Sequence, residues 1–215
     1  SLNSVSGVND NIAWVCGNAG RVIRTNNGGI NWINATGTGI PGTLDLYNIF
    51  AIDSTTALVT GSNTTAFVYR STNGGLTWVQ VFTQSGGFLN AIWMTTPMTG
   101  VMYGDPVSAR WSLWRTTNGG VNWDSTGMFV AQAGAEAGWN NAMYVSGTNI
   151  WFGTNNSRVY YSALAGLTGT WQVQSTTQAS SYAVWFNTTT NGMLGGAQLM
   201  ATNNSGVNWT AVTSP

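Results

Sequence analysis

The 215-residue chain has six arginines, six carboxylates, no lysine and no histidine, so only 6% of its residues are charged and its formal net charge is zero. That composition excludes a basic footprint for nucleic acid, a lysine Schiff base or phosphate-loop lysine, a Ser-His-Asp triad and a histidine-ligated metal site, and neither a cofactor nor a metal is expected. With 43% apolar residues the chain can build a core. No apolar run approaches the ~18 residues of a membrane span, so membrane insertion is not expected, and Cys16, the one cysteine, leaves no partner for an internal disulfide.

Taken in chain order, the elements repeat. Each unit opens with a short apolar strand, at Val5–Val8, Ile49–Ile52, Ala91–Met94, Ala142–Val145 and Ala183–Phe186. A turn leads to a second apolar run that ends at glycine: Ala13–Gly17, Ala57–Gly61, Val101–Gly104, Ile150–Gly153 and Met193–Gly195. A third strand follows at Arg21–Arg24, Ala66–Arg70, Ser112–Arg115, Val159–Tyr161 and Gln198–Met200. Next comes a polar box, and a fourth strand is predicted to begin at the tryptophan that closes it. Only Ala131–Gly138 offers even a weak helical pattern.

The boxes are near-copies. Their positions are Thr25, Asn27, Gly29 and Trp32; Ser71, Asn73, Gly75 and Trp78; Thr116, Asn118, Gly120 and Trp123; and Thr202, Asn204, Gly206 and Trp209. A degenerate copy runs from Ser162 to Trp171, with Leu164 at the asparagine position. The leading hydroxyls are spaced 46, 45, 46 and 40 residues apart. Four short strands per repeat of this length is the arithmetic of a propeller blade. The expected fold is all-β: a propeller of five four-stranded antiparallel blades, or a five-blade portion of a longer one. It would form a single domain over 1–215, with blades at about 1–40, 41–86, 87–132, 133–178 and 179–215. Within each box, Asn73-Gly74 and its equivalents are expected to supply the positive-φ positions, and the hydroxyl and amide are expected to bond the turn's backbone.

These residues resemble the Asp-box (BNR) motif of sialidases and other β-propellers. The longer pattern, from Trp14-Val-Cys-Gly to Thr25-Asn-Asn-Gly-Gly-Ile-Asn-Trp32, is most similar to the photosystem II assembly and stability factor (Ycf48-like) repeats. The resemblance covers essentially the whole chain and implies that the boxes lie at the blade periphery. The motif's aspartate is replaced by Asn27, Asn73, Asn118 and Asn204. Amides keep the acceptor oxygen but disfavour calcium.

By propeller convention, one face would collect Arg21, Asp105, Arg110, Glu136 and Arg158, with Trp111 and Trp139 nearby. Two carboxylates beside aromatic rings admit a glycosidase, and Trp111 and Trp139 are the tryptophans expected to be exposed for sugar stacking. The plainer reading makes Asp105–Arg110 a pair within one loop and Glu136 a loop cap. Arg24, Arg70 and Arg115 occupy one repeat position and read as structural. The composition favours a non-catalytic extracellular or cell-surface module, structural, adhesive or self-assembling, whose partners are other copies of the chain or surface glycans. A lectin-like propeller, a glycoside hydrolase using Asp105 and Glu136, and a Ycf48-like assembly factor are the alternatives. In a chain that begins on a first strand and ends after a fourth, the usual interlock between termini is not evident. That leaves open closure by face packing, a longer protein, or a homo-oligomer or filament in which another molecule supplies the missing contact.

Overall fold

A computed structural model describes residues 1–213. Among them are nineteen strands and no helix, so Ala131–Gly138 forms none. Four sheets have four antiparallel strands in simple up-and-down order. The first comprises β1 (Leu2–Gly7), β2 (Ala13–Gly17), β3 (Val22–Thr25) and β4 (Ile33–Asn34), and the second β5 (Asp45–Ala51), β6 (Ala57–Ser62), β7 (Thr65–Ser71) and β8 (Val79–Ser85). The third sheet has three strands, β9 (Leu89–Met94), β10 (Gly100–Val107) and β11 (Arg110–Thr116). The fourth holds β12 (Gly138–Ser146), β13 (Asn149–Thr154), β14 (Arg158–Ser162) and β15 (Trp171–Ser175). The fifth holds β16 (Ser181–Phe186), β17 (Gly192–Gly196), β18 (Leu199–Thr202) and β19 (Thr210–Ala211).

Two expectations need correction. The strand predicted at Trp123 does not form a ladder. Only the isolated bridges Arg115↔Asp124 and Arg110↔Ala131 cover that edge. The Ser125 carbonyl accepts from Met128 N–H, and Gly127 between them takes a φ of 72°, so the backbone turns away between the two bridges. The opening strands also run longer than predicted. Bulges at Leu2/Ser4, Leu46/Asn48, Gly138/Met143 and Ser181/Ala183 let each keep pairing past a register shift.

The chain divides into two compact units: Ser1–Met102 with Trp114–Asp124, and Tyr103–Leu113 with the residues from Ser125 on. In the first unit, Trp14, Cys16 and Val22 of the first sheet pack against Leu46, Ile49 and Val59 of the second. Leu58, Ala66 and Val68 pack in turn against Leu89, Ile92 and Met102. In the second unit, Trp151 and Val159 meet Val184, Phe186, Leu194 and Met200. Strand alternation explains the layers: successive side chains point to opposite faces, and apolar residues at both parities let one sheet serve two interfaces. Burial pushes the Cys16 thiol up to about 12, so it behaves as a small apolar filler.

Candidate functional site

The boxes share one geometry. Thr25 Oγ1 accepts from Gly29 N–H at 3.0 Å and donates to Asn27 Oδ1 at 3.0 Å, and Asn27 Oδ1 accepts from Asn31 N–H at 2.9 Å. The same bonds recur at Ser71, Asn73 and Thr77, at Thr116, Asn118 and Asn122, and at Thr202, Asn204 and Asn208. In the degenerate box, Ser162 Oγ still accepts from Gly166 N–H at 3.1 Å, and the Thr170 hydroxyl at 2.7 Å stands in for the missing amide. The left-handed residues are the two that follow the asparagine, not the asparagine itself: Gly28 and Gly29, Gly74 and Gly75, Gly119 and Gly120, Ala165 and Gly166, Ser205 and Gly206. Gly75 is further constrained, because a Cβ there would lie 2.3 Å from the Ala35 carbonyl oxygen.

Three of the five boxes also receive a bond from the preceding sheet. Arg24 Nε donates to the Gly74 carbonyl at 3.1 Å and Arg70 Nε to the Gly119 carbonyl at 2.8 Å. Trp151 Nε1 donates to the Ser205 carbonyl at 3.0 Å. Arg115 instead pairs with Asp124 at 3.7 Å. The box is therefore both a turn lock and a docking point between neighbouring sheets. Ser71→Ala is expected to lower the unfolding free energy by about 1–2 kcal/mol, the cost of leaving the buried Gly75 N–H without an acceptor. Ser71→Thr is expected to be near neutral, since threonine fills the same role in three boxes. Urea denaturation of both variants checks this, and an unchanged midpoint for the alanine variant refutes it.

The proposed chemical face reads differently. Glu136, the single glutamate, is 5% exposed. Its Oε1 accepts from Ala133 N–H at 2.8 Å and from the Tyr160 hydroxyl. Its Oε2 faces Arg158 Nη1 at 3.2 Å, and the same Nη1 donates to the Ala133 carbonyl at 2.8 Å. Asp105 Oδ1 accepts from Gly138 N–H at 2.8 Å, and the Tyr103 hydroxyl donates to the Trp139 carbonyl at 2.8 Å. These contacts fasten the segment before β12 from both ends. Arg110 Nη2 donates to the Met128 carbonyl at 3.1 Å, and its guanidinium lies 5.4 Å from the centre of the Phe129 ring.

Trp111 is corrected outright. Its ring is wholly buried against Phe152 at 4.9 Å and Tyr160 at 5.4 Å, so no sugar reaches it. Trp139 is half-buried and meets the exposed Tyr182 ring edge-on at 4.7 Å. Sequence reasoning placed Arg158 and Glu136 on one face but missed Tyr160 and Tyr103. The available signal was alignment on the box: Tyr160 stands two residues before its hydroxyl, where Tyr69 stands in the second repeat, and both are buried. Arg21 belongs to the other compact unit. Among the described residues, no group of three or more Cys, Asp or Glu side chains is placed to hold a metal ion.

Burial, reinforced by the Glu136 carboxylate, pushes the Tyr160 phenol from the ordinary 10.0 up to about 12. A raised value means that the folded state favours the neutral phenol. Its contribution to stability is complete below pH 10 and is lost as the pH rises through 10 toward 12. Tyr160→Phe is expected to flatten part of that alkaline decline, as measured by unfolding free energy against pH. An identical slope in both proteins refutes the assignment.

Up-and-down antiparallel sheets, each closed by an Asp-box-type turn, define a propeller-like all-β chain. The similarities to known structures agree. Ycf48 bound to D1 peptide superposes with a TM-score of 0.52 at 14% identity, over 98% of this chain and 82% of that one. The GH74 enzyme of Niastella koreensis gives 0.68 at 18% identity, over 99% of this chain and 31% of that one. An ancestral GH74 enzyme gives 0.75 at 14% identity, over 98% and 31%. The chain thus spans about a third of the GH74 enzymes it matches. No family model and no curated protein matches it. The resemblance to Asp-box propellers, Ycf48 among them, is one of fold.

Proposed function

We propose that this chain is a non-catalytic, extracellular or cell-surface contact module, adhesive or self-associating, whose partners are other copies of itself or surface glycans. The observation that carries this reading is the state of the candidate acid–base pair. Glu136 is buried among Ala133, Arg158 and Tyr160, and Asp105 holds the Gly138 amide, so both carboxylates act as loop anchors. A surface written in neutral threonine, asparagine and serine, with no net charge, favours association.

A lectin-like reading is favoured by the half-buried Trp139 beside the exposed Tyr182, a pair of rings suited to stacking on a sugar face. Sedimentation over a wide concentration range, run beside a glycan array, tests the proposal. Concentration-dependent association or glycan binding is expected. A monomer that binds no glycan overturns it, as does polysaccharide hydrolysis that disappears in an Asp105→Asn, Glu136→Gln double variant.

A further inference from the structure

Register and burial single out two faces. In four of the sheets, the residue of the second strand that pairs with the position just before the box is Trp14 (opposite Arg24), Leu58 (opposite Arg70), Trp151 (opposite Tyr161) and Met193 (opposite Ala201). The first three are wholly buried, whereas Met193 is 47% exposed. Trp185, its neighbour across the ladder, is 53% exposed, and Leu199 on the same face is 44% exposed. Trp185, Met193, Ala201 and Thr202 line a depression of about 400 Å³.

The opposite parity tells the complementary story. Val5, Ile49, Met143 and Val184 hold one position on the opening strands, each paired through the second strand to the residue two before its box. Ile49, Met143 and Val184 are buried. Val5 is 67% exposed, with Leu2 on the same strand at 55%. Where these two layers meet inside the molecule they form its core: Trp14 clusters with Ile49, and Trp151 with Val184. The exposed Met193 layer is of the kind that covers an Ile49-like residue, and the exposed Val5 layer is of the kind that is covered by a Trp14-like one.

We propose that the Trp185–Met193 face of one molecule packs on the Val5 face of a second copy, a head-to-tail contact that extends the sheet-on-sheet packing from one chain to the next. The inference rests on the self-associating reading above and names its surfaces. A heterologous contact of this kind leaves one free face at each end, so it grows chains rather than closed two-fold dimers. The polar staples of the internal junctions are missing: Met193 replaces the indole donors of Trp14 and Trp151, and Ala201 the guanidinium donors of Arg24 and Arg70. The contact is apolar and therefore reversible with concentration.

Because both positions are exposed, Val5→Asp and Met193→Asp leave the folded core intact, and an unchanged thermal transition checks that. In sedimentation at high concentration, the unmodified chain is expected to rise above one copy's 22.8 kDa, while each variant alone stays at that mass. An equimolar mixture of the two is expected to reach twice that mass and stop, since each variant retains one working face. Association that survives both substitutions overturns this inference and leaves the contact-module reading standing. A two-fold dimer abolished by only one of them also overturns it. An unmodified chain that remains at one copy's mass overturns it too, and the glycan array then decides the wider reading by itself.

Discussion

Replacing Trp151 with alanine is expected to lower the unfolding free energy by about 4 kcal/mol, the range measured for emptying a tryptophan-sized site in a packed core. Trp151 has no exposed surface, stacks on Phe186 at 3.9 Å and on Tyr161 at 4.8 Å, and donates its indole N–H to the Ser205 carbonyl. Its removal therefore opens a cavity between two sheets and strips one donor from the fifth box. Trp151→Phe retains stacking but loses the donor, and is expected to cost less. Denaturant unfolding of the two variants separates cavity from hydrogen bond. A loss below ~1 kcal/mol for the alanine variant would show that the two sheets are not held together through this ring.

Glu136→Ala is expected to be nearly as damaging, at about 3 kcal/mol. Removing one partner of a buried pair strands the other. Here Arg158 loses its counter-charge, and Tyr160 and the Ala133 amide lose their acceptor. The Arg158 side chain is 30% exposed, so water solvates part of the stranded charge and the expected loss sits at the low end for a fully buried pair. Glu136→Gln keeps an acceptor oxygen and is expected to recover part of the deficit. If stability were unchanged while some enzymatic turnover vanished, Glu136 would be a chemical group rather than an anchor.

The fold was legible because its punctuation is local. A hydroxyl, an amide and two left-handed residues within five positions make a turn that needs no tertiary context, and the tryptophan and flanking apolar strands recur in step with it. What was not legible depends on partners distant in sequence. Trp111 was expected to be exposed, yet aligned on its box it occupies the place of Ala66, five residues before the hydroxyl, and both are wholly buried. The missing fourth strand of the third sheet follows a box that is intact, so the box sets the turn but not the pairing after it. The role of Glu136 required knowing that Tyr160 and Arg158, more than twenty residues away, converge on it.

The neutral boxes also bear on how the protein ages. Asn73-Gly74 and Asn118-Gly119 are the dipeptide most prone to deamidation, in which the glycine nitrogen attacks the asparagine side chain. In the folded turns that nitrogen is already engaged: Gly74 N–H donates to the Thr55 carbonyl at 2.9 Å and Gly119 N–H to the Met98 carbonyl at 2.8 Å. Chemical lifetime at these sites is thus tied to how often a turn opens. The unrearranged product would be an aspartate, the residue that gives the motif its name.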